Sequence, residues 1–248
     1  MAQIRVILVK PEYQQNIGYC ARAMKNFGFG DLWIVGGPTI GEEAVRYSKH
    51  AVDLLENAKL VGKIEAAISG CSVVIGTTAI EAAGRNVLRN SITPKELAKL
   101  ISKNNAKVAL LMGSEGKGLS AEDLEACDII VRIPANEEYG TLNISHALAI
   151  LLYELSEAGA ANQKKIKKGT GERPHVSNLV DPKDRGFLIG SIDRLVSGMH
   201  GLKNPKTIRL AVRRAIFRGV RSPIEGRALI QFLKKIKPKR RNKRIMKS

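Results

Sequence analysis

Five short apolar runs punctuate the first half of the chain, at residues 4–9, 32–35, 72–76, 108–112 and 129–133. They lack the strict apolar/polar alternation of a strand with one wet face, so they predict strands buried on both faces. The stretches between them carry apolar positions at helical spacing and predict helices at about 15–27, 41–55, 64–68, 94–102, 121–126 and 144–156. Pro94 directly after Thr93 gives one of these a cap and a first-turn proline. Strands separated by helices imply an α/β fold with a mostly parallel sheet. Residues 159–174 are polar, rich in Lys and Gly, and read as a linker. Helical patterns at about 183–196, 205–218 and 223–236 follow, then a tail. The expected organisation is a body over 1–158, a linker over 159–174, a helical unit over 175–236 and a basic tail over 237–248.

Charge sharpens this division. The net charge is +18, yet residues 1–158 hold 16 Lys and Arg against 18 Asp and Glu, whereas residues 159–248 hold 25 against 5. A body at −2 joined to an extension at +20 suggests a ligand-binding unit with a basic appendage for a polyanion. A merely solvated surface mixes both signs, and this one does not. No apolar run approaches the roughly 20 residues of a membrane span, and the chain opens on strand-like sequence without a secretory pattern. A cytoplasmic protein is expected. Cys20, Cys71 and Cys127 are odd in number and widely spaced, giving neither a disulfide framework nor a metal set, so they read as core residues.

Two predicted strands open into glycine-bearing loops. Val108–Met112 runs into Gly113-Ser114-Glu115-Gly116-Lys117-Gly118-Leu119, and the run ending at Ile133 leads through Pro134-Ala135-Asn136 to Tyr139-Gly140-Thr141-Leu142-Asn143-Ile144-Ser145-His146. Such loops bring backbone N–H and C=O groups, unhindered by side chains, against a ligand at the carboxyl edge of a sheet. Neither is a familiar phosphate motif. The first strand runs into Lys10-Pro11-Glu12, without the glycines of a dinucleotide-binding turn, and the Gly-Lys pair at 116–117 lacks the spacing of a P-loop.

These two loops, together with Asn16-Ile17-Gly18-Tyr19-Cys20-Ala21-Arg22-Ala23-Met24-Lys25 upstream, resemble the three ordered motifs of the SPOUT methyltransferases. With Cys71–Ala79, Pro134–Asn143 and the Arg-rich segment Val212–Arg218, the resemblance narrows to the TrmJ family and covers nearly the whole chain. It implies a SPOUT-type sheet with a C-terminal deep trefoil knot, a homodimer, and S-adenosyl-L-methionine as cofactor. It also implies methyl transfer to the ribose 2′-hydroxyl of nucleotide 32 in the tRNA anticodon loop, on cytidine or uridine. Cofactor contacts are implied for Thr77, Thr78, Ala79, Gly113, Ile133, Gly140, Thr141 and Leu142, mostly through the backbone. Thr141 stands where many relatives carry serine.

For the chemistry, the resemblance singles out Arg22, whose counterpart reaches the reacting ribose across the dimer interface. A guanidinium is essentially always protonated, so a general-base role strains its chemistry, whereas gripping a phosphate and stabilising a developing oxyanion suit it. Asn16 and Asn143 either orient that group or close their loops; both readings stand. Thr141 completes the expected catalytic set. Glu115, the only acid within the first glycine loop, reads more readily as a helix cap than as a partner for a sulfonium, and His146 as a packing or capping residue.

RNA contact is expected from Arg213, Arg214, Arg218 and Arg221 on the Arg-rich segment, with Arg209 beside them, and from Arg85 and Arg89 after the third predicted strand. An aromatic content of 4% argues against extensive base stacking and for recognition of tRNA shape. The alternatives are an rRNA 2′-O-methyltransferase and an inactive RNA-binding protein that keeps the fold. A small-molecule nucleotide enzyme is disfavoured by the basic extension, and no metal site is expected.

Overall fold

The computed structural model describes residues 2–81, 87–101, 106–167, 181–199, 201–220 and 223–236. Its centre is a six-stranded, wholly parallel sheet in the order β3-β2-β1-β5-β4-β6, formed by β1 (Gln3–Val9), β2 (Asp31–Val35), β3 (Lys59–Val61), β4 (Val73–Thr77), β5 (Lys107–Met112) and β6 (Ile129–Val131). The continuous apolar runs have a direct cause: both faces of the sheet are covered. Val6 and Leu8 of β1 enter one core layer with Ile17, Met24, Leu148 and Leu152, while Ile7 and Val9 enter the other with Val74, Leu111 and Leu124. Side chains alternate across a strand, so one uninterrupted run supplies both layers.

Five strands fall where the apolar runs predict them. The sixth, β3, is not predicted. Its Lys59 and Leu60 are exposed at the sheet edge, and three residues with little burial leave no periodic signal. The last expected strand also stops early, at Val131, where its ladder with β4 ends; along its other edge Ile92 N donates to Ile130 O and Arg132 N to Ile92 O. Ile133 is thereby released into the loop that follows.

The helices are α1 (Gln14–Asn26), α2 (Glu42–Ser48), α3 (Val52–Glu56), α4 (Ile64–Ile68), α5 (Pro94–Ile101), α6 (Ala121–Glu125), α7 (Ile144–Lys167), α8 (Pro182–Gly198), α9 (Pro205–Gly219) and α10 (Pro223–Lys235). The single helix expected at 41–55 is divided by a 3₁₀ turn at Lys49–Ala51, where Lys49 takes a left-handed conformation with φ 54°. Gly18 explains how closely α1 lies on α2: a Cβ there would sit 2.3 Å from the Ala44 carbonyl oxygen. Thr93 and Glu96 form the reciprocal cap expected before Pro94.

The helix expected to end near 156 continues to Lys167, through more than half of the stretch read as a linker. Ala158, Ala160, Ala161 and Gln163 are good helix formers, and Gly159 alone does not interrupt them. The remainder of that stretch, 168–174, and the tail 237–248 lie outside the described residues.

Nor is the basic extension a detached appendage. Asp128, fully buried at the head of β6, receives the Arg185 guanidinium of α8 in a two-pronged contact, Nε to Oδ2 at 2.8 Å and Nη2 to Oδ1 at 3.2 Å. Arg213 Nε of α9 lies 3.4 Å from the same carboxylate. Asp128 Oδ2 also accepts the Val74 N–H of β4 at 2.9 Å. Leu188, Phe217 and Ile230 of α8, α9 and α10 join the core layer that contains α1 and α7. The three cysteines are buried and unpaired; burial pushes the Cys127 thiol up to about 12, so it stays neutral.

Replacing Asp128 removes the one acid that, among the described residues, pairs with the inward-turned guanidinium groups of Arg185 and Arg213. Asp128→Ala is expected to lose about 3–5 kcal/mol of stability, the range for breaking one partner of a buried pair. Urea unfolding of the full chain measures it; a loss below about 1 kcal/mol, the worth of an exposed pair, would show that Asp128 does not hold the extension.

Candidate active site

Because β1 pairs with β5 and β5 with β4, the segments leaving these strands emerge side by side at the carboxyl edge of the sheet. A pocket opens there. Thr77, Thr78 and Ala79 line it from the end of β4, Gly113 to Leu119 from the loop after β5, and Ile133, Gly140, Thr141 and Leu142 from the segment after β6. All eight residues expected to hold the cofactor thus line one cavity. Met112, Val131, Ile144, Ala147 and Leu151 give it an apolar floor, and Arg89 and Glu115 are among its charged walls.

Gly113 fixes the shape of the first loop. A Cβ there would lie 2.2 Å from both Gly118 C and Leu119 N, so the loop folds back directly over this residue. Loop closure by itself therefore requires glycine here. Gly118 completes the turn with φ 66° and donates its N–H to the Ser114 carbonyl at 2.8 Å. Gly140 is less tightly confined: a Cβ there would lie 3.2 Å from the Asn136 carbonyl oxygen.

Glu115 differs from its expected role. The helix that follows is capped by Ser120 and Asp123, in reciprocal hydrogen bonds of 3.1 and 2.8 Å. Glu115 instead turns towards α1: Oε1 accepts Asn16 Nδ2 at 2.6 Å and Oε2 accepts the Glu12 N–H at 2.8 Å. Glu12 answers by accepting the Gly116 N–H at 3.1 Å. Asn143 Nδ2 donates to Asn16 Oδ1 at 3.0 Å, while Asn143 Oδ1 accepts from Ser145 N and Oγ at the start of α7. The asparagines therefore close loops and join all three motifs in one hydrogen-bonded chain. A second groove adjoins the pocket, lined by Tyr13, Asn16, Glu115, Tyr139, Thr141 and Asn143.

Arg22 lies on the exposed face of α1 and lines neither cavity of its own chain. His146 is exposed in the first turn of α7. Arg89 enters the pocket, donating Nη1 to Thr78 Oγ1 at 2.8 Å; the same hydroxyl accepts the Ile80 N–H at 3.2 Å. Arg85 and Arg221 fall outside the described residues.

The Arg-rich helix requires correction. Arg214 is 1% exposed and donates to four backbone carbonyls: Nη1 to Val87 and Leu88 at 2.6 and 2.8 Å, Nη2 to Leu124 at 2.9 Å, and Nε to Cys127 at 3.4 Å. Burial lowers its pKa to about 10, which leaves it charged at neutral pH. Arg213 is directed to Asp128 and to the Glu125 and Cys127 carbonyls. Arg218 Nε donates to the Arg214 carbonyl at 3.2 Å, and Arg209 meets Ser197 and Asp193. Arg213 and Arg214 both serve the fold, and Arg214, 1% exposed, is closed to phosphate, whereas Arg213 keeps a partly exposed edge. Helical spacing shows that arginines cluster on one side, but not whether that side faces solvent or protein.

Sequence reasoning also missed Ala147 and Leu151 of the pocket floor. Their spacing from Ile144, at i+3 and i+7 on a helix that begins at the third motif, is the signal that points to them. Exposed Tyr139, in the neighbouring groove, was legible only as part of its loop.

A parallel sheet with glycine loops and an apolar-floored pocket at its carboxyl edge defines an α/β domain whose cavity has the form suited to a nucleotide-like ligand. Comparison with known proteins makes this specific. Residues 3–153, more than half of the chain, match the SpoU rRNA Methylase family, and the chain belongs to that family. It is 42% identical over 153 residues to the tRNA (cytidine-2′-O-)-methyltransferase TrmJ of Methanocaldococcus jannaschii, covering 61% of this chain and 66% of that protein. A TrmJ of Sulfolobus acidocaldarius, a tRNA (cytidine-2′-O-)-methyltransferase, is 29% identical over 94% of this chain and 93% of its own length. Among solved structures, TrmJ from Z. mobilis ZM4 superposes with a TM-score of 0.68 at 25% identity, covering 94% of this chain and 98% of that one. The similarity to the M. jannaschii protein thus spans just under two thirds of that relative, whereas the other two matches extend through the basic helices.

Gly113→Ala forces the loop open by overpacking, which typically costs about 1–3 kcal/mol. Calorimetry with S-adenosylmethionine is expected to show binding weakened roughly tenfold to hundredfold. Unchanged affinity in the folded variant would place the ligand elsewhere.

Proposed function

We propose that this chain is an S-adenosylmethionine-dependent tRNA ribose 2′-O-methyltransferase that acts, as a homodimer, on nucleotide 32 of the anticodon loop. The observation that carries the reading is the convergence of three separated motifs on one pocket in a chain of the SpoU methylase family. The names of the similar TrmJ proteins supply tRNA as substrate and cytidine or uridine as acceptor. An rRNA substrate is the alternative that the family's description suggests.

The residues present fit the cofactor. Ile133, Leu142, Ile144, Ala147 and Leu151 offer an apolar bed for an adenine ring, and the backbone around Gly113 and Gly140–Leu142 offers hydrogen-bonding groups for its edge. When bound, S-adenosylmethionine supplies an electrophilic methyl group to a ribose 2′-oxygen. Glu115 lies at the boundary of the pocket and the groove and places negative charge there, favourable to a sulfonium. Asn16 and Asn143, held by Glu115 and Ser145, shape the wall against which the ribose lies, with Thr141 on the shared edge.

Arg22, exposed on α1 and outside its own pocket, is assigned to the partner subunit's site. There it grips the substrate phosphate and stabilises the developing oxyanion. The loops after β5 and β6 are assigned to a deep trefoil knot. RNA contact is assigned to Arg85, Arg89 and Arg221, and to the outward-facing basic residues of the extension. Body and extension, 1–158 and 175–236, then act as one docked enzyme. Of the described helices, none is long and apolar enough to cross a membrane, and among the described residues no acidic, His or Cys cluster suited to a metal occurs.

Methyl transfer to tRNA transcripts, followed by mass mapping of nucleosides, tests the activity. A 2′-O-methyl group at position 32 is expected; modification confined to rRNA, or no modification by folded protein, would overturn the reading. Mixing Arg22→Ala with Gly113→Ala protein tests the composite site separately. At a cofactor concentration near the wild-type Kd, each variant alone is expected to be strongly impaired, while exchanged dimers regain activity through one intact site; absence of recovery despite proven exchange would return Arg22 to its own subunit.

A further inference from the structure

The 3₁₀ turn Val87–Arg89 stands between the C-terminal helices and the pocket. On one side, the Arg214 guanidinium of α9 donates Nη1 to the Val87 and Leu88 carbonyls, the first two residues of that turn. On the other, Arg89, the third residue, reaches into the pocket and donates to Thr78 Oγ1. Thr78 in turn holds the Ile80 N–H, closing the loop after β4 whose Thr77, Thr78 and Ala79 line the cavity. No described residue of α9 lines that cavity. The connection is nonetheless short and runs through hydrogen bonds on both sides of the turn.

The chemistry at Arg214 favours a mechanical role over an external ligand. A guanidinium carries five N–H donors in a fixed plane, and here they are engaged by four carbonyls from three separate segments: the turn, the end of α6 and the residue before Asp128. A lysine at this position offers three donors from a single point and cannot span these acceptors. Arg214 is also almost wholly enclosed, so no phosphate reaches it. Its neighbour Arg213 pins the same stretch of α9 to Asp128, which fixes the helix from which Arg214 projects.

We propose that Arg214 is a positioning residue for the cofactor pocket: through the Val87–Arg89 turn it sets Arg89 against Thr78, so that docking of α9 and binding of the cofactor are coupled. The basic extension then has a second task besides RNA contact. It completes the pocket from behind. This inference rests on the reading of the pocket as an S-adenosylmethionine site. Coupling of this kind is reciprocal, because whatever α9 does to cofactor affinity the cofactor must do to the docking of α9.

The test uses the full chain and S-adenosylmethionine as probe. Calorimetry on wild type, Arg214→Lys, Arg89→Ala and the double variant is expected to show each single variant weakened by about tenfold, within the usual range of coupling between sites. The double variant is expected to be no weaker than Arg89→Ala alone, since both act through one connection. A general loss of stability would instead add to the Arg89→Ala effect. Affinity of Arg214→Lys for tRNA without cofactor is expected to stay within about twofold of wild type. Wild-type-like cofactor binding by Arg214→Lys, or strictly additive effects, would overturn the proposal. If Arg214→Lys does not fold, amide hydrogen exchange on the wild-type chain decides: cofactor is expected to slow exchange in 87–89 and in α9, and an unchanged α9 overturns the coupling. Failure of wild type to bind S-adenosylmethionine at all would instead overturn the reading of the pocket, and this inference with it.

Discussion

Asn16 gives one hydrogen bond to Glu115 and takes another from Asn143, and the arrangement of the site depends on that pair. A carboxylate only accepts, so Glu115 fixes which end of the Asn16 amide is nitrogen; Asn16 Oδ1 is then left to accept from Asn143, whose own oxygen caps α7. The orientation of each group follows from the one before it. Three segments far apart in sequence, around residues 16, 115 and 143, are thereby held in one register at the sheet edge. The sheet makes this possible, since the parallel neighbours β1 and β5 place their exits next to each other. Glu12 and Gly116 reinforce the same junction.

The elements that define the fold were legible because two-sided burial writes a strong signal. Val108–Met112 has no polar residue for the reason that it has no exposed face. β3 was illegible for the converse reason, at the edge with Leu60 about half exposed. The pocket residues were legible through family resemblance and loop composition together, and the structure brings all eight to one cavity. Their partners were not. Whether Glu115 caps a helix or bonds to Asn16 depends on a contact 99 residues away, and local spacing favoured the cap.

The charge step at residue 159 is sound as arithmetic but incomplete as structure. Asp128 belongs to a body with an excess of acids, and this acid, buried and central, draws Arg185 and Arg213 inward. Arginine suits carbonyl and carboxylate clusters at an interface, whereas lysine stays hydrated. The extension thus divides its positive charge between anchoring and the outer surface. Buried cations still contribute to the long-range field that attracts a polyanion, though they make no contact with it. Composition reports the field; only the packing reports the contacts.

A single cofactor enclosed by the loops after β4, β5 and β6, with the C-terminal helices docked behind them, is the arrangement from which the proposed chemistry follows. A crystal structure of the full chain with S-adenosylhomocysteine addresses it most directly. The adenine is expected among Ile133, Leu142 and Ala147, with the Asn16–Glu115 and Asn16–Asn143 hydrogen bonds intact and Arg214 still on the Val87 and Leu88 carbonyls. Ligand bound outside this pocket, or an extension swung away from Asp128, would contradict it.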